Sequence, residues 1–270
     1  MRASARELFK GGLRQAAAVL GHLRSPLRGD DGPRIVCYHG VCEAPPDEWS
    51  VTPRQLRAHL ELITRQHRPV ALTDVVAWLA GERELPPRAV AVTFDDGYRD
   101  VLTCAAPLLA EYKVPGTAFI VAGLLDGEAA HASYAPSRPL LTWAELRALR
   151  DAGWAIGAHS LSHPVLADLP EAAARRELVE SRQRLEEGLG QPVTLLAYPY
   201  GTRRTVSPRE YELAREAGYA AAFLDMTGPL RRDLERFALP RSKILGCDSP
   251  SVVRASLSGR LDLWRLIEQR

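Results

Sequence analysis

Long apolar runs are missing from this chain: no stretch approaches the roughly 18 residues that a membrane-crossing helix needs. Cysteine is sparse. The four present, Cys37, Cys42, Cys104 and Cys247, form no CxxC pair and no framework spacing. They read as reduced, partly buried thiols in preference to disulfides. Charge of one sign is lacking too, with 35 Lys and Arg against 33 Asp and Glu, a net +2. A balance so even, with no aromatic-studded basic stripe, gives no grip on nucleic acid. Internal repeats and low-complexity stretches are absent as well. Histidine is rare, seven in all, and none follows His163.

What is present is an ordinary globular balance, 46% hydrophobic and 25% charged over 270 residues, enough for one sizeable core or two small domains. Residues 1–32 read as a separate segment, a basic amphipathic helix in which Arg2, Arg6, Lys10 and Arg14 precede a short apolar run, Ala16 to Leu20. That run is shorter and more broken than a secretory apolar core of about 7–15 residues. The expectation is therefore a cytoplasmic protein. The segment has two readings, a plain surface helix or peripheral contact with the inner face of a membrane.

From residue 33 to 270 the chain alternates short β-branched runs with amphipathic stretches. Ile35 to Tyr38, Ala89 to Phe94, Thr117 to Val121, Trp154 to Ala158, Val193 to Tyr198 and Tyr219 to Leu224 read as strands. The Ala89 to Phe94 run is apolar almost throughout, as in a strand buried on both faces. Thr52 with Gln55, Thr142 with Glu145 and Ser207 with Glu210 are capping boxes that open helices. Ala174, Leu178, Leu185 and Leu189 recur at helical spacing. Repeated strand–helix units predict an α/β fold with a parallel sheet, open or closed into a barrel, in one domain.

The polar motifs fall just past strand ends, the face on which βα-barrels assemble chemistry. Thr93-Phe94-Asp95-Asp96-Gly97 places two carboxylates together, costly unless something neutralises them. On a regular strand they would face opposite ways; Gly97 offers the backbone freedom to turn both to one site. His159-Ser160-Leu161-Ser162-His163 puts two imidazoles four residues apart, within reach of one cation. Either motif alone reads as well as solvated surface residues; their coincidence at strand ends favours a site. One carboxylate and two imidazoles leave a position for water, and the second aspartate can take its proton. Ala197-Tyr198-Pro199-Tyr200-Gly201 is a tight aromatic turn that could also present the Tyr200 N–H to an oxyanion.

These motifs, in this order, resemble the signature of the polysaccharide deacetylases, carbohydrate esterase family 4 or the NodB-homology domain. The similarity runs from about residue 33 to 259 and takes in Tyr38-His39 and LTWAEL…GWAIGAHS. It implies a distorted (β/α) barrel of about seven or eight strands. It further implies Asp95 as catalytic base, Asp96, His159 and His163 as metal ligands, and Ser160 as a steadying hydroxyl. The metal would be zinc, with cobalt, nickel or manganese as alternatives. The partner would be an N-acetylated carbohydrate of N-acetylglucosamine type, releasing acetate.

Two features depart from the family pattern. The arginine that many members carry in the third motif is missing from Leu196-Ala197-Tyr198, and Arg241 is the candidate to pair with Asp95 instead. The late histidine of many members is missing too, which leaves His39 with two readings, the acid for the leaving amine or a histidine of the core or of the site's support. His22, His59, His67 and His131 read as surface residues. Tyr98, Trp143 and Tyr200 are candidates to pack a sugar ring, or else core. Three other readings compete: an O-acetyl esterase on the same scaffold, a sugar-binding barrel without turnover, and a non-haem iron oxygenase, for which Asp95 would have no purpose.

Overall fold

The computed structural model of the protein describes residues 12–18, 32–128, 130–132 and 134–264. Eight parallel strands make the main sheet. Seven run in the order β10 (Ser242–Lys243), β1 (Arg34–Tyr38), β5 (Ala89–Phe94), β6 (Gly116–Ile120), β7 (Ala155–Ala158), β8 (Leu195–Ala197) and β9 (Ala221–Phe223), and β4 (Arg68–Pro69) pairs with β5 off this path. A short ladder, β2 (Gly40–Val41) with β3 (Ser50–Val51), stands apart. The sheet is curled. Its edges are tied together by the chain just before β10: Leu239 bridges to Phe223 of β9, and Ser242 then pairs with Val36 of β1. This is the distorted (β/α) barrel expected from the sequence.

Side-chain alternation builds two cores. Val36, Val90, Val92 and Phe94 face outward, where they join α2 (Pro53–Gln66), α5 (Trp143–Asp151), α6 (Glu171–Leu189) and α7 (Pro208–Glu216) in the larger cluster. Ile35, Ala89, Ala91, Phe119, Ala197, Phe223 and Leu239 cluster together, which side chains from these strands can do only across the concave face; α3 (Leu72–Leu79) contributes Leu72 and Val75. Burial on both faces explains the unbroken apolar character of β5. Its inner row runs Ala89, Ala91, Thr93, and the next member is Asp95.

The three capping boxes form as the sequence predicts, at Thr52, Thr142 and Ser207. Ala174, Leu178, Leu185 and Leu189 are the buried stripe of α6. Two expectations fail. His59 and His67 are buried, not on the surface. His59 lies on the inner stripe of α2 with its Nδ1 3.2 Å from the Tyr38 hydroxyl, and His67 ends that helix. Burial pushes the His59 imidazole down to about 4, so it sits neutral in the core.

Most of the N-terminal segment lies outside the described residues, as does His22. Residues 12–18 form a helical stretch, α1, that docks on α8 (Pro250–Leu257): Ala18 packs with Val252 and Ala255. Arg14 does not face outward as a membrane-binding charge would. It is buried, donating from Nε and Nη2 to Asp248 at 2.7 and 2.9 Å and from Nη2 to the Lys243 carbonyl at 2.8 Å. Among the described residues no helix is long and apolar enough to cross a membrane.

Candidate active site

Asp95 follows β5 and its N–H donates to the Tyr38 carbonyl at 2.9 Å, which holds it in line with the strand. Its carboxylate is gripped by Arg241: Nη1 reaches Oδ1 at 2.7 Å and Nη2 reaches Oδ2 at 2.6 Å, a bidentate pair with both partners buried. Arg241 is fixed in turn by the Leu224 carbonyl, by the Thr93 hydroxyl and by the Phe119 ring, 5.1 Å from the guanidinium carbon. Burial works to raise the Asp95 carboxyl, but the Arg241 guanidinium beside it outweighs this and holds it well below the usual carboxylate range. The charge that the third motif lacks thus arrives from the segment that ties the sheet's edges together.

Asp96 turns the other way. Its backbone is left-handed, φ 70°, so the turn is made by Asp96 itself and continued by Gly97 at φ 73°. Ser160, His163 and Tyr200 are left-handed as well, at φ 62°, 65° and 60°. Each such residue costs about 1–2 kcal/mol. Among the described residues only Arg88 and Lys113 are otherwise positive without being glycine, so this strain gathers around the site.

The result is a compact donor set. Asp96 Oδ1 lies 3.5 Å from His159 Nε2 and 3.4 Å from His163 Nε2. One ligand atom from each of the three residues falls within 4.8 Å of the others. His159 Nδ1 sits 2.7 Å from the Ala197 carbonyl, which fixes the tautomer with hydrogen on Nδ1 and the Nε2 lone pair aimed at Asp96. Burial pushes His159 down to about 4, so the ring is neutral at pH 7. A lone pair facing a carboxylate oxygen is repulsive unless a cation sits between them, and three such donors fit a divalent metal. A second cluster, Cys37, His39 and Asp95, also has metal-ligating atoms close together. It is a poorer fit, because both Asp95 oxygens are held by Arg241 and burial pushes the Cys37 thiol up, away from the thiolate.

The histidine loop is braced from two sides. The Ser160 hydroxyl accepts from the His163 N–H at 3.0 Å. Glu177 of α6 accepts from the N–H groups of Leu161 and Ser162, both at 2.9 Å, and from the Ser162 hydroxyl at 2.6 Å. Glu177 carries no local signal in the sequence; only the packing of α6 on the loop reveals it. Glu177→Ala is expected to lower divalent-metal affinity about 10–100-fold, the usual cost of losing support behind metal ligands, and a competition titration with a chelating dye would measure it.

A cleft of about 490 Å³ opens over these groups. His39 lines it beside both aspartates, its Nδ1 without a hydrogen-bond partner among the described residues. Tyr200 lines it too, its ring 4.9 Å from that of His163. Tyr134, on the loop before α5, stacks on His163 at 3.9 Å and bonds to the Tyr98 hydroxyl. Of the candidate sugar-packing aromatics, Tyr98 and Tyr200 reach the cleft. Trp143 does not: it packs over Gly188 of α6, with Arg147 on its ring. Sequence reasoning missed Tyr134, Trp49, Asp225 and Lys243, which line the cleft from loops and short strands with no motif of their own.

The sequence model described as polysaccharide deacetylase matches residues 82–222, over half the chain. The chain belongs to the polysaccharide deacetylase family. It is 23% identical over 211 residues to YxkH of Bacillus subtilis (strain 168), provisionally named a polysaccharide deacetylase, covering 78% of this chain and 70% of that one. It is 23% identical over 162 residues to the poly-β-1,6-N-acetyl-D-glucosamine N-deacetylase of Staphylococcus aureus (strain MSSA476), covering 57% of this chain and 54% of the relative. The chain therefore spans about half the length of that protein. In fold it is similar to the Streptococcus pyogenes deacetylase PplD, solved in complex with acetate, with a TM-score of 0.73 at 22% identity over 84% of this chain and 98% of that one. As a family member the chain is a deacetylase-type hydrolase, and its curled parallel sheet is the family's fold.

Proposed function

We propose that the protein removes the acetyl group from an N-acetylated hexosamine, of N-acetylglucosamine type, in a polysaccharide, oligosaccharide or glycolipid intermediate. The observation that carries this reading is the pairing of Asp95 with Arg241 directly beside the Asp96, His159 and His163 trio. That arrangement keeps one carboxylate ionised for proton transfer and a second free to ligate. A divalent ion held by the trio, zinc by its donor set, supplies Lewis acidity to a carbonyl and to an attacking water when bound.

The chain's own residues account for the rest. Asp95, held ionised by Arg241, takes the proton of the attacking water. The Tyr200 N–H, on a backbone strained into the cleft wall, donates to the oxygen on which charge develops. His39, beside the aspartates, gives a proton to the departing amine. The names of the relatives, one of them an N-deacetylase, support nitrogen over oxygen as the leaving atom.

The test is acetate release from β-1,6- and β-1,4-linked N-acetylglucosamine oligomers, set against an O-acetylated sugar. Release from the N-acetyl compounds is expected; release confined to the O-acetyl compound would make the protein an esterase. His39→Gln is expected to lower turnover on the amide about 10²–10⁴-fold, the usual share of one proton transfer. Its loss on p-nitrophenyl acetate should be far smaller, because nitrophenolate leaves without needing a proton. Equal losses on both substrates would remove the acid role from His39.

A further inference from the structure

Three residues of the cleft take no part in the chemistry above. Asp225 follows β9 and is only 6% exposed. Its Oδ2 lies 2.5 Å from Lys243 Nζ, while its Oδ1 has no hydrogen-bond partner among the described residues. Its N–H donates to the Gly201 carbonyl at 2.8 Å, which ties it to the loop that carries Tyr200. Lys243 Nζ sits over the Trp49 ring, 4.7 Å from its centroid. Trp49 remains 36% exposed, and its ring centroid is 5.6 Å from that of His39. All three residues line the same cleft as Asp95 and Asp96.

A buried carboxylate oxygen left without a donor is costly, and one in a cleft wall is satisfied when a ligand brings the donor. The Asp225–Lys243 pair offers an acceptor and a donor side by side with no net charge. Beside it, Trp49 offers an apolar plane already polarised by the ammonium. An apolar ring face with adjacent hydroxyls that both donate and accept is the chemistry of an uncharged pyranose. We propose that Trp49, Asp225 and Lys243 form a sugar-positioning subsite that seats an uncharged pyranose ring and orients it towards Asp95 and the Asp96 trio. An anionic sugar would meet the Asp225 carboxylate, and an amino sugar would meet the Lys243 ammonium. That this ring carries or adjoins the acetyl group rests on the deacetylase reading; the sugar contacts themselves do not.

The test uses the metal-loaded protein, with binding and turnover read separately. Affinity for an N-acetylglucosamine tetramer is measured by calorimetry in wild type, Trp49→Ala, Trp49→Phe, Asp225→Asn and Lys243→Gln. Asp225→Asn and Trp49→Ala are expected to weaken binding about 10–100-fold, the scale of a hydrogen bond to a charged group, while Trp49→Phe recovers most of the affinity. The ratio of kcat/KM on the tetramer to kcat/KM on p-nitrophenyl acetate, which has no sugar, should fall by a similar factor, mainly through KM. A purely structural role would lower both substrates together and leave that ratio unchanged, which would overturn the subsite. So would equal affinity in every variant, or no tetramer binding by wild type. Subsite-dependent binding without acetate release from wild type would instead uphold the subsite and overturn the deacetylase reading.

Discussion

Replacing Asp95 with asparagine is expected to lower acetate release about 10²–10⁴-fold while the protein stays folded and keeps its metal. The substitution preserves shape but replaces the carboxylate with a neutral amide that cannot take a proton. The trio Asp96, His159 and His163 is untouched, so zinc content measured by mass spectrometry should match wild type. Stability should not rise to mask the effect. Arg241 is buried against Asp95 and loses its counter-charge, so the variant is expected to unfold at lower urea concentration. Full turnover in Asp95→Asn would remove the base from this site. Loss of zinc along with activity would instead make Asp95 a ligand, against the geometry that commits both its oxygens to Arg241.

Arg241→Met carries the largest expected structural effect. Removing one partner of a buried ion pair leaves the other uncompensated and typically costs about 3–5 kcal/mol, measurable by urea denaturation. The pH dependence gives the sharper test. In wild type the folded-state pKa of Asp95 is depressed, so its contribution is present above the unfolded carboxylate value, about 3.9, and is lost as pH falls below it. Without Arg241, burial raises that pKa instead. Its contribution is then present at low pH and lost as pH rises through the new value. The stability deficit of the variant should therefore be greatest near neutrality and shrink under acid. The acid limb of its residual activity should move upward, because the base now ionises later. A deficit independent of pH would mean that Arg241 acts through packing on Phe119 and not through charge.

What the sequence made legible was local. Capping boxes, the α6 stripe and the β5 run are patterns within a few residues, and each formed where it was read. The donor set was legible for the same reason: HSLSH and DD are short, and their place at strand ends is a property of the alternation around them. Arg241 was reachable only because the third motif visibly lacked a cation and a later segment ended in one. The remainder depends on contacts across the barrel. β10 is two residues long and exists because its backbone completes the edge of β1. Asp225 and Lys243 meet Trp49 from the far end of the chain, and nothing in their neighbours announces it. His59 and His67 were misjudged because a helical histidine looks alike on either face until the Tyr38 hydroxyl is found against one of them. The turn at the paired aspartates is legible in part: Gly97 is left-handed as its residue type suggests, and Asp96, which carries no such signal, is left-handed as well.

On the proposed function, deacetylation depends on a metal held by Asp96, His159 and His163. Acetate release from an N-acetylglucosamine oligomer is to be followed with protein stripped by chelator and then titrated with zinc, with His163→Ala run in parallel. The stripped protein is expected to release nothing, recovery should saturate near one zinc per chain, and His163→Ala should show neither tight zinc binding nor recovery. Undiminished release after complete removal of the metal, or full zinc-dependent recovery in His163→Ala, would contradict that reading.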